Sequence, residues 1–169
     1  MRHVLLLDTN IWSHLILSEE AKRAKVQAGL DALLLKYAGA ARATSGMCIA
    51  ECLVAARRLL DPVGRREAEA AFQTQFANPN LMTIDVTQGV LDKAASLRAE
   101  TLRRAAAAGG PQASRDGGKL KLPDAVVAAS CLEFSPPAIL VTENDSDFRF
   151  IDQLGRSQTV ADLVVERVG

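Results

Sequence analysis

Apolar residues in this chain follow two patterns, short unbroken runs and longer segments with helical spacing. Unbroken runs are typical of strands that are buried on both faces of a parallel sheet. The predicted strands are residues 3–7, Ala43–Ile49, Leu81–Val86, Ala138–Thr142 and a last short strand at Thr159–Val160. The first of these runs straight into a carboxylate, Asp8, which is unusual for the end of a buried strand.

Segments whose apolar residues recur every three or four positions predict helices between the strands. The predicted helices are Asn10–Leu17, Ala21–Tyr37, Ala50–Leu60, Arg65–Phe76, Thr87–Ala108 and Pro123–Glu133. A Gly-, Ser- and Pro-rich stretch at 109–118 predicts a mobile loop. Strands that alternate with helices predict an α/β sandwich around a mostly parallel sheet of four to five strands. We expect a single domain spanning 1–169.

Composition narrows the class of protein. The 169 residues are 49% apolar, which is enough for a full core, and the formal net charge is zero. A neutral chain lacks the overall positive field of many nucleic-acid binders, although it can still carry a local basic patch. Three cysteines without a signal peptide predict a cytoplasmic protein, and no apolar run is long enough to cross a membrane. The two histidines and three cysteines complete no zinc set.

Carboxylates occur where predicted strands end or the next helix begins. Asp8 ends the first strand, and Glu51 follows the second in "SGMCIAEC". Asp124 opens a helix in "KLPDAVVAAS", and Asp145 and Asp147 follow the fourth strand in "LVTENDSDF". Taken singly, each is explained as well by a helix cap or a polar turn. Together they fall where α/β sheets bind ligands, and a cluster of oxygen ligands favours Mg²⁺ or Mn²⁺ and phosphate ester hydrolysis.

The segments "LLLDTNIW", "AEC", "LPDAVVAAS" and "LVTENDSDF" resemble, in this order, the four signature segments of the PIN-domain ribonucleases. They are most similar to those of the VapC toxins of bacterial toxin–antitoxin pairs. The resemblance implies a PIN-like three-layer sandwich and a Mg²⁺- or Mn²⁺-dependent endoribonuclease. It also implies a homodimer and a cognate antitoxin that blocks the site. By this resemblance Asp8 and Asp124 are the principal metal ligands, and Glu51 completes the acidic set directly or through water.

The last segment departs from the pattern of the family. Many relatives carry an acidic residue two positions after the threonine, where this chain has Asn144. Asp147 matches the second acidic position of the family and is counted with the catalytic carboxylates, whereas Asp145 is extra. The fourth group of the site is therefore open among Asn144, Asp145 and Asp147.

Several polar residues beside these carboxylates are candidates for supporting roles. Thr9, Asn10 and Thr142 are predicted to orient carboxylates and waters, although ordinary turn hydrogen bonds explain them equally well. Lys119 and Lys121 lie just before the acidic helix and are candidates for contacts with RNA phosphates.

The apolar stripe of the second predicted helix has two explanations. Val26, Leu30, Leu33 and Leu34 are expected to be core, but part of the stripe could form a groove for an antitoxin segment. Trp12 is then expected either at the edge of that groove or, as is more frequent, in the core.

Two other functions remain open. A module that keeps the fold without catalysis, and binds RNA or protein, is supported by Asn144. A phosphatase with Asp8 as its nucleophile is disfavoured. Such enzymes carry an Asp-x-Asp sequence at this place, and this chain has Asn10 where the second Asp would stand.

Overall fold

Five parallel strands form one sheet with the order β3-β2-β1-β4-β5. The structure is a computed structural model that describes residues 3–107, 120–134, 138–143, 148 and 165–168. The strands are β1 Val4–Leu7, β2 Ala41–Ser45, β3 Leu81–Ile84, β4 Ile139–Thr142 and β5 Val165–Arg167. The chain leaves the central strand β1 toward β2 and returns on its other side through β4. The order of strands therefore reverses between β1 and β4, which is where α/β sheets bind ligands.

Both faces of the central strands are covered. Every residue of β1 and β4 is buried, as expected of parallel strands between two layers of helices. Leu5, Leu6 and Leu7 have no exposed surface. The predicted three-layer α/β sandwich is confirmed, and the sheet is parallel throughout its described strands.

Six helices are described between and beside these strands. They are α1 Thr9–Leu17, α2 Glu20–Lys36, α3 Gly46–Arg57, α4 Pro62–Phe76, α5 Gln88–Ala107 and α6 Leu122–Glu133. The apolar stripe of α2 belongs to the core, because Val26, Leu30 and Leu33 are buried and Leu34 packs against them. Within the described residues, no helix combines the length and the apolar character that crossing a bilayer requires.

The second predicted strand is wrong in its second half. The observed strand ends at Ser45, and the rest of the predicted segment belongs to α3. Ser45 caps this helix, since its Oγ accepts a hydrogen bond from the backbone N–H of Cys48 at 3.2 Å. Glu51 consequently lies in the second turn of α3. The positive end of the helix dipole acts within the first turn, so it does not explain this carboxylate.

The connection between α3 and α4 also differs from its prediction. The helix α3 ends at Arg57, before the predicted Leu60. The helix α4 begins at Pro62, because Asp61 accepts hydrogen bonds from the backbone N–H groups of Val63 and Gly64 at 3.3 and 2.7 Å. An Asp followed by Pro is a signal for a helix start, so the predicted start at Arg65 lies later than the observed one.

The strand β5 is absent from the predictions. It is three residues long, half exposed and paired only with β4, so its sequence carries little of the apolar run that marks a buried strand. The predicted strand Thr159–Val160 and the predicted loop 109–118 lie outside the described residues.

Candidate active site at the end of the central strand

Asp8 is fixed at the end of β1 by its backbone and its side chain. Its N–H donates to the carbonyl of Val141 at 3.0 Å, which joins β1 to β4 at the reversal of strand order. Its Oδ1 accepts from the backbone N–H of Thr9 at 2.7 Å. Its Oδ2 accepts from Asn10 Nδ2 and Thr142 Oγ1, each at 2.9 Å. These donors leave the carboxylate, which is 5% exposed, in a single orientation.

Asn10 connects the ends of β1 and β4. Its Nδ2 donates to Thr142 Oγ1 at 2.9 Å as well as to Asp8, and its Oδ1 accepts from the backbone N–H of Glu143 at 3.2 Å. The orientation of the amide follows from these partners, because a carboxylate only accepts and a backbone N–H only donates. The hydrogen bonds predicted for Asn10 and Thr142 are therefore made across the sheet as well as within a local turn.

Glu51 and Asp124 reach the same place from two helices. Thr9 Oγ1 donates to Glu51 Oε2 at 2.6 Å, which ties α3 to the start of α1. Asp124 is the third residue of α6, and its Oδ2 is buried. The start of α6 is favoured by Pro123, whose fixed φ suits the first turn of a helix.

These carboxylates line one cleft of about 360 Å³. The lining residues are Asp8, Thr9, Asn10, Ser13, His14, Glu51, Asp124 and Phe148. Three of the predicted acidic residues, Asp8, Glu51 and Asp124, thus come together from different elements. Lys121 is exposed just before α6 and is not among the residues that line the cleft. Four further predicted residues lie outside the described part of the chain: Lys119, Asn144, Asp145 and Asp147.

The family model for the PIN domain matches residues 5–154, a span that contains every residue of this cleft. The chain belongs to the PIN-domain family. The predicted family resemblance is therefore confirmed. Among curated proteins, none matches the chain at a significant level.

Solved structures share the fold of this PIN domain at low sequence identity. VapBC2 from Rickettsia felis, bound to a DNA fragment from its promoter, has a TM-score of 0.62 and 19% identity, and the match covers 98% of this chain and 99% of that chain. VapBC-1 from nontypeable Haemophilus influenzae has a TM-score of 0.61 and 19% identity, with 97% of each chain covered. VapC20 from Mycobacterium tuberculosis, a toxin that cleaves the sarcin-ricin loop, has a TM-score of 0.54 and 17% identity, with 80% of this chain and 86% of that chain covered.

The sequence predictions missed three residues of the cleft in this PIN domain: Ser13, His14 and Phe148. A signal for two of them was present, because Asn10, Ser13 and His14 are three and four positions apart and share one face of α1. Phe148 follows the acidic segment, and its 1% exposure shows that it is held in the core beside the cleft.

Buried thiols near the cleft are protonated. Burial and, to a smaller extent, the negative charge of Asp8 together raise the pKa of Cys48 to about 11. Burial raises the pKa of Cys52 even more, with Cys48, Glu51 and Asp8 adding to the effect. Burial also raises the pKa of Cys131 well above its ordinary value. None of these cysteines is among the residues that line the cleft.

The donors of the cleft fit a hard divalent cation in kind, because they are carboxylates without a thiolate. In the part of the chain that the structure describes, no three Asp, Glu, His or Cys side chains stand close enough together to hold one ion. The described residues therefore offer individual oxygen donors and no complete coordination sphere.

Proposed function

We propose that this chain is a metal-dependent endoribonuclease that hydrolyses RNA phosphodiesters, and that it is the toxin of a toxin–antitoxin pair. The observation that carries the proposal is the cleft at the reversal of strand order, which is lined by the carboxylates of Asp8, Glu51 and Asp124. Membership of the PIN-domain family supports it. The likeness to VapC20, a toxin that cleaves the sarcin-ricin loop, points to RNA as the substrate.

In this proposal Asp8 and Asp124 hold Mg²⁺ or Mn²⁺, and Glu51 completes the set directly or through water. When bound, the cation activates a water and neutralises charge on the scissile phosphate. Asp8 is suited to its role because neighbouring donors fix its orientation before any ligand arrives. Thr9 does the same for Glu51 through its hydroxyl. We assign the fourth group of the site to Asn144, Asp145 or Asp147, with Asp147 as the matching family position.

The test is cleavage of a structured RNA by the purified chain, free of antitoxin, with Mg²⁺ or Mn²⁺. Asp8→Asn and Asp124→Asn keep the shape of each side chain and remove its charge. Loss of a residue that only hydrogen-bonds to a metal ligand reduces activity by roughly 10- to 100-fold. Each of these two variants removes a ligand itself and is expected to reduce cleavage by more than that. Asp31→Asn, at an exposed carboxylate of α2, is the matched control and should cleave as the wild type does. Unchanged cleavage in both site variants would refute the assignment of Asp8 and Asp124. Cleavage that persists in EDTA would show that the reaction does not depend on a metal ion.

A second cleft is our candidate for the antitoxin. It has a volume of about 480 Å³ and lies beside α1 and α2, with Trp12, Leu15 and Ile16 among its apolar residues and Arg23 and Arg42 among its charged ones. A cleft that is lined by both apolar and charged residues suits an amphipathic partner segment. Trp12 is the only tryptophan of the chain, so its fluorescence reports directly on this cleft. We expect the emission to shift when the product of the neighbouring small reading frame is added, and an unchanged spectrum on a stable complex would place the antitoxin elsewhere.

We further propose a homodimer. Three large apolar side chains around the α3–α4 connection are more than half exposed: Val54 at 52%, Leu60 at 94% and Val63 at 52%. Exposed apolar residues grouped in this way are typical of an interaction surface. Light scattering of the wild type and of Leu60→Lys tests this, with a monomer expected for the variant and a dimer for the wild type.

A non-catalytic module of the PIN fold is the alternative. It is favoured by one observation, that no three-ligand group is present among the described residues. Titration with Mn²⁺ separates the two functions. Absence of binding in the millimolar range together with absence of cleavage would support the module, whereas saturable binding that Asp8→Asn weakens would support the nuclease.

A further inference from the structure

Three side chains from three elements form an ion cluster beside the acidic cleft. Lys22 of α2 donates to Glu143 Oε1, and His14 of α1 contacts Glu143 Oε2 through Nε2. Glu143 directly follows β4, and its backbone N–H is held by Asn10. We refer to Lys22, His14 and Glu143 as the rim cluster. None of the candidate residues in the sequence analysis belongs to it.

The two partners of Glu143 fix both of its carboxylate oxygens. His14 Nδ1 lies 2.8 Å from Ser18 Oγ, so a neutral ring makes both of its contacts, accepting from Ser18 and donating to Glu143. Burial, together with the positive charge of Lys22, lowers the pKa of His14, which is consistent with a neutral ring. The carboxylate of Glu143 is therefore a fixed acceptor that holds the ammonium group of Lys22 in one place.

Lys22 remains able to bind a second anion. An ammonium group has three N–H donors, and Lys22 uses one of them on Glu143. Its side chain is 35% exposed. Because the side chain is already ordered, binding an anion costs less conformational entropy than it would for a free surface lysine.

The carboxylates of the cleft repel the phosphates of RNA, and a nearby cation offsets this repulsion. Asp8, Glu51 and Asp124 line the cleft, and His14 is the only basic residue among the described residues that do. RNA brings its own negative phosphates toward these carboxylates. Lys22 contacts the same Glu143 carboxylate as His14, which lines the cleft, so the ammonium group of Lys22 lies next to the cleft.

We propose that Lys22 contacts an RNA phosphate at the mouth of the cleft, and that Glu143 and His14 are the residues that position it. The proposal rests on the proposed function, because it takes RNA as the ligand. It adds a phosphate contact on α2, at a position distinct from Lys119 and Lys121.

The test is binding of a fluorescein-labelled, single-stranded RNA of mixed sequence, measured by anisotropy over a series of salt concentrations. An Asp124→Asn background prevents cleavage during the measurement. Lys22→Met is expected to weaken binding and to make the slope of log K against log salt shallower by about 0.7, the value for one phosphate contact to a single strand. Lys25→Met removes an exposed lysine of the same helix and is the matched control, with an unchanged slope expected. Equal slopes for the two variants would overturn the proposal.

The positioning role is tested by a double-mutant cycle. If Glu143 holds Lys22 in place, Lys22→Met weakens RNA binding less in a Glu143→Gln background than in the background that keeps Glu143. An equal loss in both backgrounds would overturn the positioning role. Lys22→Met without the Asp124 substitution should bind Mn²⁺ as tightly as the wild type, and a weakened metal affinity would show that Lys22 acts through the metal site instead.

The same variants separate this inference from the proposed function. If the wild type cleaves the RNA with Mn²⁺ while Lys22→Met and Lys25→Met bind and cleave alike, the nuclease stands and the contact of Lys22 is refuted. If the wild type neither binds nor cleaves RNA, both proposals fail.

Discussion

Asp8 caps a helix and lines the acidic cleft with the same carboxylate. Its Oδ1 accepts from the first backbone N–H of α1, as a capping residue does, and its Oδ2 accepts from two side chains that converge from α1 and β4. The helix cap expected of this residue is therefore made, and its role as a metal ligand stays a proposal. Capping fixes one oxygen, and the contacts across the sheet fix the other.

Asn10 is expected to matter for the site because its side chain bridges Asp8, Thr142 and the Glu143 backbone. Asn10→Ala removes these bonds without removing a carboxylate. We expect a loss of about 10- to 100-fold in Mn²⁺ affinity or in cleavage, the range for outer partners of metal ligands. Calorimetric titration with Mn²⁺ measures this, and Asn80→Ala in an exposed turn should change neither quantity. Wild-type affinity in Asn10→Ala would show that Asp8 needs no such support.

The buried thiols are expected to be inert in the folded protein. Cys48, Cys52 and Cys131 are fully buried, and burial raises the pKa of each, so the reactive thiolate is scarce near neutral pH. Titration with a thiol reagent at pH 7.5 should label none of the three cysteines in the native state. All three should react once urea unfolds the chain. Rapid labelling without denaturant would mean that the core beside the cleft opens readily.

At the scale of elements, α2 and the edge strand β5 hold one another in place. Gly29 of α2 lies directly against Val168, the residue that follows β5. Lys36 Nζ and Tyr37 Oη at the end of α2 each lie 2.5 Å from Glu166 Oε1 of β5. An edge strand of three residues has few backbone hydrogen bonds of its own, so these side-chain contacts decide where it sits.

Gly29 is expected to resist replacement although it lies inside a helix. A Cβ at this position would stand 2.6 Å from Val168 Cγ1, which is far inside contact distance. Helix propensity alone predicts that Gly29→Ala gains about 1 kcal/mol. We expect instead a loss of about 1–3 kcal/mol from overpacking, measured by urea unfolding. Ala28→Gly, at the neighbouring exposed position, measures the difference in helix propensity between Ala and Gly without the contact with Val168. A Gly29→Ala variant that is more stable than the wild type would contradict the observed packing.

Glu166 is expected to make stability depend on pH. Burial alone would raise the pKa of Glu166, but hydrogen bonds from Lys36 and Tyr37 outweigh burial and lower it below the ordinary 4.5. Because the folded pKa is the lower one, the unfolded chain binds more protons in acid, and the contribution of Glu166 to stability is present above the unfolded pKa and lost as pH falls through the folded one.

Unfolding free energies measured from about pH 7 to about pH 3 test this dependence. Glu166→Gln should be less stable than the wild type near neutrality, and the difference should shrink as the pH falls below 4.5. Glu67→Gln on the exposed face of α4 should show no such trend. A difference that stays constant over the whole range would mean that Glu166 contributes through packing rather than charge.

For the whole molecule, metal binding and folding are expected to be linked. The carboxylates of the cleft come from elements far apart in the sequence, so the unfolded chain does not offer the same site. Mn²⁺ should therefore raise the free energy of unfolding, by about 2.7 kcal/mol at a hundred times its dissociation constant. Thermal unfolding with and without Mn²⁺ measures the effect, and Asp8→Asn should abolish it while Asp31→Asn keeps it. A melting temperature unmoved by millimolar Mn²⁺ would contradict the metal site.

The sequence allowed most of the architecture to be predicted, because the doubly buried strands β1 and β4 are marked by local apolar runs. It also allowed Asp8 to be placed at the ligand edge of the sheet, since that edge lies at the carboxyl ends of the parallel strands. The error at Ala43–Ile49 has the same origin. An apolar run fits a strand and a buried helix equally well, and only the cap at Ser45 distinguishes them.

By itself, the sequence determined the order of the helices and of the first four strands along the chain, the family, and the positions of Asp8, Glu51 and Asp124 near one edge, because each depends on a local pattern and on chain order. Only the tertiary structure decided which side chains meet across that edge. Lys22 and Glu143 are 121 positions apart, and no local pattern links them. Their pairing, like the contact of Gly29 with Val168, follows from how α2 packs against the end of β4 and against β5. The spacing of apolar residues predicts which face of a segment is buried. Which element packs against that face depends on the packing of the whole chain.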